Sequence, residues 1–235
     1  SVKVYRGELT LGIVTDTDDA TGSIISQADA SRITLADVKA LLPKYSGPIE
    51  QIPPMFSAIK VNGKKLYELA RQGLEIERKP RKVMIYSLKI IDWALEQLNP
   101  KITMEVVCSS GTYIRSLFAD LGKDLGVGAH MSALRRLAVG DFKLDASYSL
   151  AQVQELIRQA DFRCFLPLQM AVRHLPVLIL ADDRAYDDVL HGRSLKVKSA
   201  DVPVCSVETA NGLLAAIGSV ENGILKINKM LLDVK

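Results

Sequence analysis

Three groups of side chains in this sequence could do chemistry. The first is Arg115, with Tyr113 two residues before it, in Cys108-Ser109-Ser110-Gly111-Thr112-Tyr113-Ile114-Arg115-Ser116-Leu117. An arginine there offers a permanently charged planar fork suited to a carboxylate or a phosphate. An arginine that merely opens a helix would read the same way. The second group is the acidic run Thr15-Asp16-Thr17-Asp18-Asp19-Ala20-Thr21-Gly22, which resembles a calcium loop until its spacing is checked. Counting from Asp16, the sixth position is Thr21 where glycine is needed and the twelfth is Gln27 where glutamate is needed, so calcium is rejected. The third is Tyr5, either a cross-strand packing residue or a platform on which a base could stack. His130, His174 and His191 each lack a second His or Cys at metal-ligand spacing and read as structural. Cys108, Cys164 and Cys205 are odd in number and far apart. They suggest neither a disulfide framework nor a metal site, and they favour a reducing compartment.

The elements around these residues follow from periodicity. Ile102 to Val107 alternates as a half-buried strand, and Gly111 permits a sharp turn. From Tyr113 to Leu125 the spacing is helical, with Ile114, Leu117, Phe118, Leu121 and Leu125 on one face. Arg115 is therefore expected where a strand passes into a helix. Val2 to Val14 is strand-like, with Ser23-Ile24-Ile25 as its return. Thr34 and Asp37 form a capping-box start for a helix over Leu35 to Leu42, which Pro43 ends. Gly47 to Lys60 is an extended proline-rich loop, Asn62-Gly63 a hairpin-turn signal, and Lys64 to Arg71 a short helix. Val83 to Leu98 reads as a long strand broken around Trp93, Met131 to Leu137 as a short helical stretch, and Val139 to Leu144 as another strand. Ser149 and Gln152 cap a helix over Leu150 to Gln159. Beyond Pro167 to Pro176, short strands separated by turns such as Asn211-Gly212, with one helix over Ala181 to Leu190, indicate a compact second domain, a small β-barrel.

The 235 residues fit one large domain or two smaller ones, and no apolar run is long enough to span a bilayer. Net charge is only +3, yet Lys60 to Lys82 holds eight Lys or Arg against three Glu. That surplus exceeds the whole chain's, so the positive charge is local and suits phosphate contacts; a solvated surface would account for it equally well.

Five stretches carry a family resemblance: Leu11 to Asp19, Gln51 to Lys60, Gly63 to Gly73, Gly111 to Arg115 and Gly128 to Leu137. In this order they resemble the family of tRNA pseudouridine synthase B, enzymes that isomerise a uridine in the T loop of tRNA. The tail, with His191-Gly192-Arg193 and Asn211 to Gly218, is similar to the RNA-binding PUA-like domain of that family. The resemblance implies an α+β fold with a mixed, mostly antiparallel sheet, the catalytic domain over 1–166 and a PUA-like β-barrel over 172–235. It implies a cytoplasmic, monomeric enzyme that acts on the tRNA T arm without cofactor, metal or membrane. The uridine is flipped out, its N-glycosidic bond is cleaved, and the base is turned and rejoined through carbon. Tyr5 matches the family's stacking tyrosine, and Arg115 the arginine that pairs with the catalytic carboxylate. Tyr113 and Leu134 match residues lining the pocket, Asp19 an acidic residue beside it, and Lys64 and Lys65 belong to the basic segment expected to contact RNA.

One part of the pattern is missing. The family's nucleophilic aspartate lies in a Gly-x-Leu-Asp-Pro motif ahead of the strand containing Tyr5, and no such motif occurs here. Asp16, Asp18 and Asp19 belong to the downstream acidic motif and do not replace it. The chain is expected to be a truncated piece of a complete enzyme and inactive alone. The alternatives are a tRNA-binding or tRNA-folding module without chemistry, and a relative of the guide-RNA-dependent dyskerin kind.

Overall fold

The computed structural model describes residues 1–61, 63–94 and 98–231, and contacts divide the chain into two units, Ser1–Ser147 and Tyr148–Lys235. Unit one contains β1 (Lys3–Leu11), β2 (Ile13–Thr15), β3 (Ile24–Gln27), α1 (Leu35–Leu41), β4 (Gly47–Gln51), β5 (Lys60–Val61), β6 (Lys64–Lys65), α2 (Leu66–Ala70), β7 (Arg81–Ala94), β8 (Lys101–Cys108), α3 (Ile114–Asp124), β9 (Ala129–Val139) and β10 (Phe142–Lys143). Its main sheet runs β10-β9-β1-β8-β7-β4, with every neighbouring pair antiparallel. β1 is thus interior, held by β9 on one side and β8 on the other.

One face of this sheet makes the core. Leu9 and Leu11 of β1, Ile102, Met104, Val106 and Cys108 of β8, and Ile85 of β7 are all buried. Residues directly opposite in an antiparallel pair share a face, so Tyr5, Gly7, Leu9 and Leu11 point with these β8 side chains. Onto this face α3 lays Ile114, Leu117, Phe118 and Leu121, each at most 3% exposed, as the helical spacing requires. The Tyr45 hydroxyl bonds Asp124 Oδ2 at 2.7 Å and so pins the far end of α3. Burial and that carboxylate push the Tyr45 pKa up.

Unit two holds α4 (Leu150–Arg158), α5 (Gln169–Val172), β11 (Val177–Ile179), α6 (Asp183–Leu190), β12 (Leu195–Lys196), β13 (Val202–Glu208), β14 (Leu214–Glu221) and β15 (Ile224–Met230). Its sheet runs β11-β13-β14-β15-β12, with β11 parallel to β13 and the other pairs antiparallel. It has its own core, including Leu180, Val189, Val207 and Leu225. This is the expected α+β fold with a small PUA-like β domain. No helix among the described residues is long and apolar enough to cross a membrane.

The structure corrects several sequence readings. Met131 to Leu137 is not helical; it is the middle of β9, paired with β1. The cause is visible in the register. Val4 and Tyr5 face Ala138 and Arg136, and Glu8 and Leu9 face Ala133 and Met131, so Leu137 and Ser132 are each bulged out. The bulges put Met131, Leu134 and Leu137 three apart, a helical spacing in a run of good helix formers, and pairing with β1 overrides that propensity. Val2 to Val14 is two strands, because Gly12 turns at φ +77° and a side chain there would lie 2.3 Å from Ala28 O. Val139 to Leu144 is the end of β9, a turn at Gly140, the two-residue β10 and the start of a 3₁₀ turn. Lys64 and Lys65 precede the helix as β6, while Asn62 of the hairpin signal and residues 95–97 of the long strand lie outside the described residues.

Candidate active site

The strand-to-helix passage is built from local bonds. After Cys108 the chain stays on the sheet for one more residue: Ser109 N–H donates to Met84 O at 2.8 Å and Met84 N–H to Ser109 Oγ at 2.9 Å. The Thr112 hydroxyl closes the turn on Ser109 O at 3.0 Å, and Gly111 takes φ +87°. Tyr113 is the extended residue capping α3, and Arg115 sits in the helix's first turn.

Arg115 Nη1 donates to Asp19 Oδ2 at 2.8 Å, and Nη2 donates to the carbonyl of Phe56. Both charged side chains are largely buried, Arg115 at 18% and Asp19 at 15% exposure. The acidic turn is shaped to hold this carboxylate. Asp19 Oδ1 accepts from the Thr17 hydroxyl at 2.9 Å, the Thr21 amide at 3.0 Å and the Thr21 hydroxyl at 2.5 Å. Ala20 N–H donates to Met131 O at 3.0 Å and Met131 N–H to Asp18 O at 2.9 Å, which staples the turn to β9.

The two neighbouring carboxyls behave oppositely. Burial would raise the Asp19 pKa, but the Thr21 hydroxyl and amide, the Thr17 hydroxyl and Arg115 outweigh it and hold Asp19 below its ordinary value. Burial raises Asp18, in which Asp120 and Asp19 assist and Arg115 and Arg78 oppose. As pH falls, Asp18 should take its proton above the ordinary value of about 3.9 and Asp19 only below it. A carboxyl ¹³C titration of the folded chain checks this; a single shared midpoint would contradict it. The sign for stability follows. The contribution of Asp19 is present above its unfolded pKa and is lost as pH falls through the depressed folded value.

Tyr5 and Leu134 lie on the α3 side of the sheet. Tyr5 is half-buried against the core, opposite Val106 and Arg136. Leu134 is 43% exposed and lies opposite Gly7. A side chain at Gly7 would lie 2.8 Å from Phe118 and 3.2 Å from Leu134 Cδ1, so the glycine lets α3 and β9 close over β1 here. The bulged Ser132 donates its hydroxyl to Glu8 Oε1 at 2.6 Å. Asp19, Arg115 and Tyr113 therefore meet at the start of α3, above a sheet face that carries Tyr5 and Leu134. Lys64 and Lys65 lie on the separate hairpin strand β6, where Lys65 Nζ donates to the Tyr67 hydroxyl at 3.2 Å.

Two residues of this site fall within the Gln51 to Lys60 stretch of the resemblance, which assigns a role to neither. Phe56 contributes only a carbonyl. Gln51, 3% exposed at the end of β4, accepts from Tyr113 N–H at 3.0 Å and donates to Tyr113 O at 3.2 Å. His130, read as structural, bonds Ile13 O through Nδ1 at 3.0 Å. Among the described residues no cluster of three His, Cys, Asp or Glu is placed to hold a metal.

Comparison with known proteins gives this geometry a context. A family model described as TruB family pseudouridylate synthase (N terminal domain) matches residues 1–114, and one described as tRNA pseudouridylate synthase B C-terminal domain matches 115–173. The tRNA pseudouridine synthase B of Listeria welshimeri is 45% identical over 195 residues, 82% of this chain and 64% of that protein. That of Dechloromonas aromatica is 40% identical over 232 residues, 99% of this chain and 75% of that protein. The chain thus spans less than two thirds of the Listeria protein and three quarters of the Dechloromonas one. In fold it is similar to a chain of a Cbf5-Nop10-Gar1 complex (TM-score 0.68, 22% identity, 98% of this chain and 66% of that one). It is likewise similar to a chain of an H/ACA RNP bound to a substrate RNA containing 2′-deoxyuridine (TM-score 0.67, 20% identity, 99% and 67%).

Proposed function

The chain belongs to the TruB family of pseudouridylate synthases, and from that premise we propose that it is the larger part of a tRNA pseudouridine synthase acting on a T-loop uridine. The observation that carries the reading is the buried Asp19–Arg115 pair above the sheet face shared by Tyr5 and Leu134. A pocket that receives an extruded base needs a stacking surface and an apolar wall; Tyr5 supplies the first, Leu134 and Tyr113 the second. A carboxylate nucleophile in a water-poor pocket needs a fixed cation to stay ionised. Arg115 has five N–H donors, and Asp19 and Phe56 O engage one on each terminal nitrogen. The fork can therefore take a second carboxylate without releasing the first.

In this reading the nucleophilic aspartate comes from an upstream segment of the complete protein. Its carboxylate bonds C1′ of the ribose as the C1′–N1 bond breaks and uracil leaves as its anion. The base rotates, C5 bonds C1′ as the carboxylate–C1′ bond breaks, the C5 proton leaves and N1 takes up a proton. No cofactor or metal enters these steps. The catalytic part is 1–166, and 172–235 is the PUA-like RNA-binding domain. The test is release of tritium from a T-arm hairpin carrying [5-³H]uridine. The complete protein should release it and the present chain alone should not; a complete protein that releases none would overturn the reading.

The basic segment favours a second reading, a tRNA-binding module without chemistry. Both readings place phosphates against Lys60–Lys82, so hairpin binding should weaken steeply with salt, at about 0.7–0.9 decades of affinity per decade of salt for each phosphate contact. Filter binding between 50 and 200 mM salt measures it, and a flat response would remove this segment from the RNA interface.

A further inference from the structure

We propose that Gln51 is a positioning residue for the reaction: it sets the start of α3 and thereby the aim of Arg115. The inference rests on the isomerase reading above and adds a residue to it. Tyr113 is extended, at φ −100° and ψ 105°. In that conformation a residue's own N–H and C=O point to the same side, as toward a paired strand. Among the described residues no strand pairs with it. The side-chain amide of Gln51 takes the place of one, accepting from Tyr113 N–H at 3.0 Å and donating to Tyr113 O at 3.2 Å. A carboxamide offers a donor and an acceptor side by side at any pH, and Gln51 brings it from β4, 62 residues away in the chain.

Placement gives the contact its weight. Gln51 opens the loop whose Phe56 carbonyl receives Arg115 Nη2. One proline-rich loop therefore fixes both the backbone two residues before Arg115 and the tip of its guanidinium. The same loop is tied to the basic segment: Tyr67 N–H donates to Ser57 O at 3.0 Å, Leu66 N–H to Ile59 O at 2.8 Å, and Arg78 Nη1 to Pro53 O at 3.3 Å. A shift at the start of α3 would swing the guanidinium, and a misplacement of about 1 Å at a reacting group can cost on the order of 100-fold in rate.

The test uses the complete protein and the T-arm hairpin. Gln51→Leu keeps the volume and removes both bonds. It should lower kcat by roughly 30- to 100-fold while KM for the RNA changes less than about threefold. Gln51→Glu separates positioning from packing. Its carboxylate can accept from Tyr113 N–H but meets Tyr113 O as a repulsive acceptor, whereas the protonated acid restores both bonds. Burial raises that acid's pKa, so its activity relative to wild type should climb about tenfold as pH falls from 8 to 6. A Gln51→Leu protein as active as wild type, or a Gln51→Glu ratio flat with pH, overturns the proposal. Hydrogen exchange at the Tyr113 amide reads the contact without activity. It should be protected in wild type and lose protection in Gln51→Leu, and unchanged protection also overturns the proposal. A wild-type protein that leaves the hairpin unmodified defeats the isomerase reading instead, and exchange still decides the contact.

Discussion

Replacing Arg115 with Ala in the complete protein should cut isomerisation of a T-arm hairpin by about 1,000-fold or more, while hairpin affinity changes less than tenfold. The size follows from what the guanidinium does in the proposed site. Without it the nucleophilic carboxylate faces a buried, apolar surround, its pKa rises, and a shrinking fraction is ionised at neutral pH. Removing one preorganised donor from such a centre commonly costs 100- to 1,000-fold, and here a full charge leaves with it. The fold should survive better than for most buried pairs, where loss of one partner costs about 3–5 kcal/mol, because Asp19 keeps Thr17 and Thr21 as donors. Arg115→Lys retains charge but loses the fork that spans Asp19 and Phe56 O, and should recover only part of the rate. Tritium release from the hairpin, read beside a binding curve, measures both. Activity within tenfold of wild type would show that Arg115 holds the turn and nothing more.

Gly122→Ala should produce a large loss of stability. In an exposed helix this change would add about 1 kcal/mol. Here the new methyl would lie 2.3 Å from Ala129 Cβ, 2.3 Å from Ala129 N and 2.5 Å from Gly128 C. Ordinary carbon contacts are about 3.5–4.0 Å, and two of these three atoms are backbone, which cannot rotate away. Gly128 N–H also donates to Gly122 O at 2.8 Å, so helix and loop are bonded at the same point. Overpacking of this kind costs about 1–3 kcal/mol and occasionally more. The net loss should be about 2–4 kcal/mol, or roughly 5–15 °C in melting temperature. α3 would be lifted from β9, so activity should fall with it. Calorimetry checks the first, and a variant that melts at or above wild type would mean α3 does not rest on β9 as described.

What could be read from the sequence was local. α3 announced itself through Ile114, Leu117, Phe118 and Leu121, and the caps at Thr34 and Ser149 lay where their partners three residues on placed them. β9 misled because its bulges at Ser132 and Leu137 replace alternation by threes, and nothing short of the partner strand reveals a bulge. The Asp19–Arg115 contact joins residues 96 apart, so no spacing argument could reach it; only the family resemblance put both near one pocket. Among Asp16, Asp18 and Asp19 a weak cue was available: threonines stand two residues on either side of Asp19, where their hydroxyls can fold back onto it. Gln51 heads a stretch of the family resemblance, but a lone glutamine has neither period nor charge, and its contact with Tyr113 depends on where β4 ends.

The interior position of β1 has a consequence for synthesis. β1 is made well before its partners β8 and β9, and about 90 residues separate Leu11 from Lys101. At about 5–20 residues per second on a ribosome, β1 waits on the order of 5–20 seconds for a neighbour, both edges bare. A strand left open that long invites pairing with other chains. β1 carries Lys3, Arg6 and Glu8 within its nine residues, and charges of this kind on an open strand oppose its pairing with other copies.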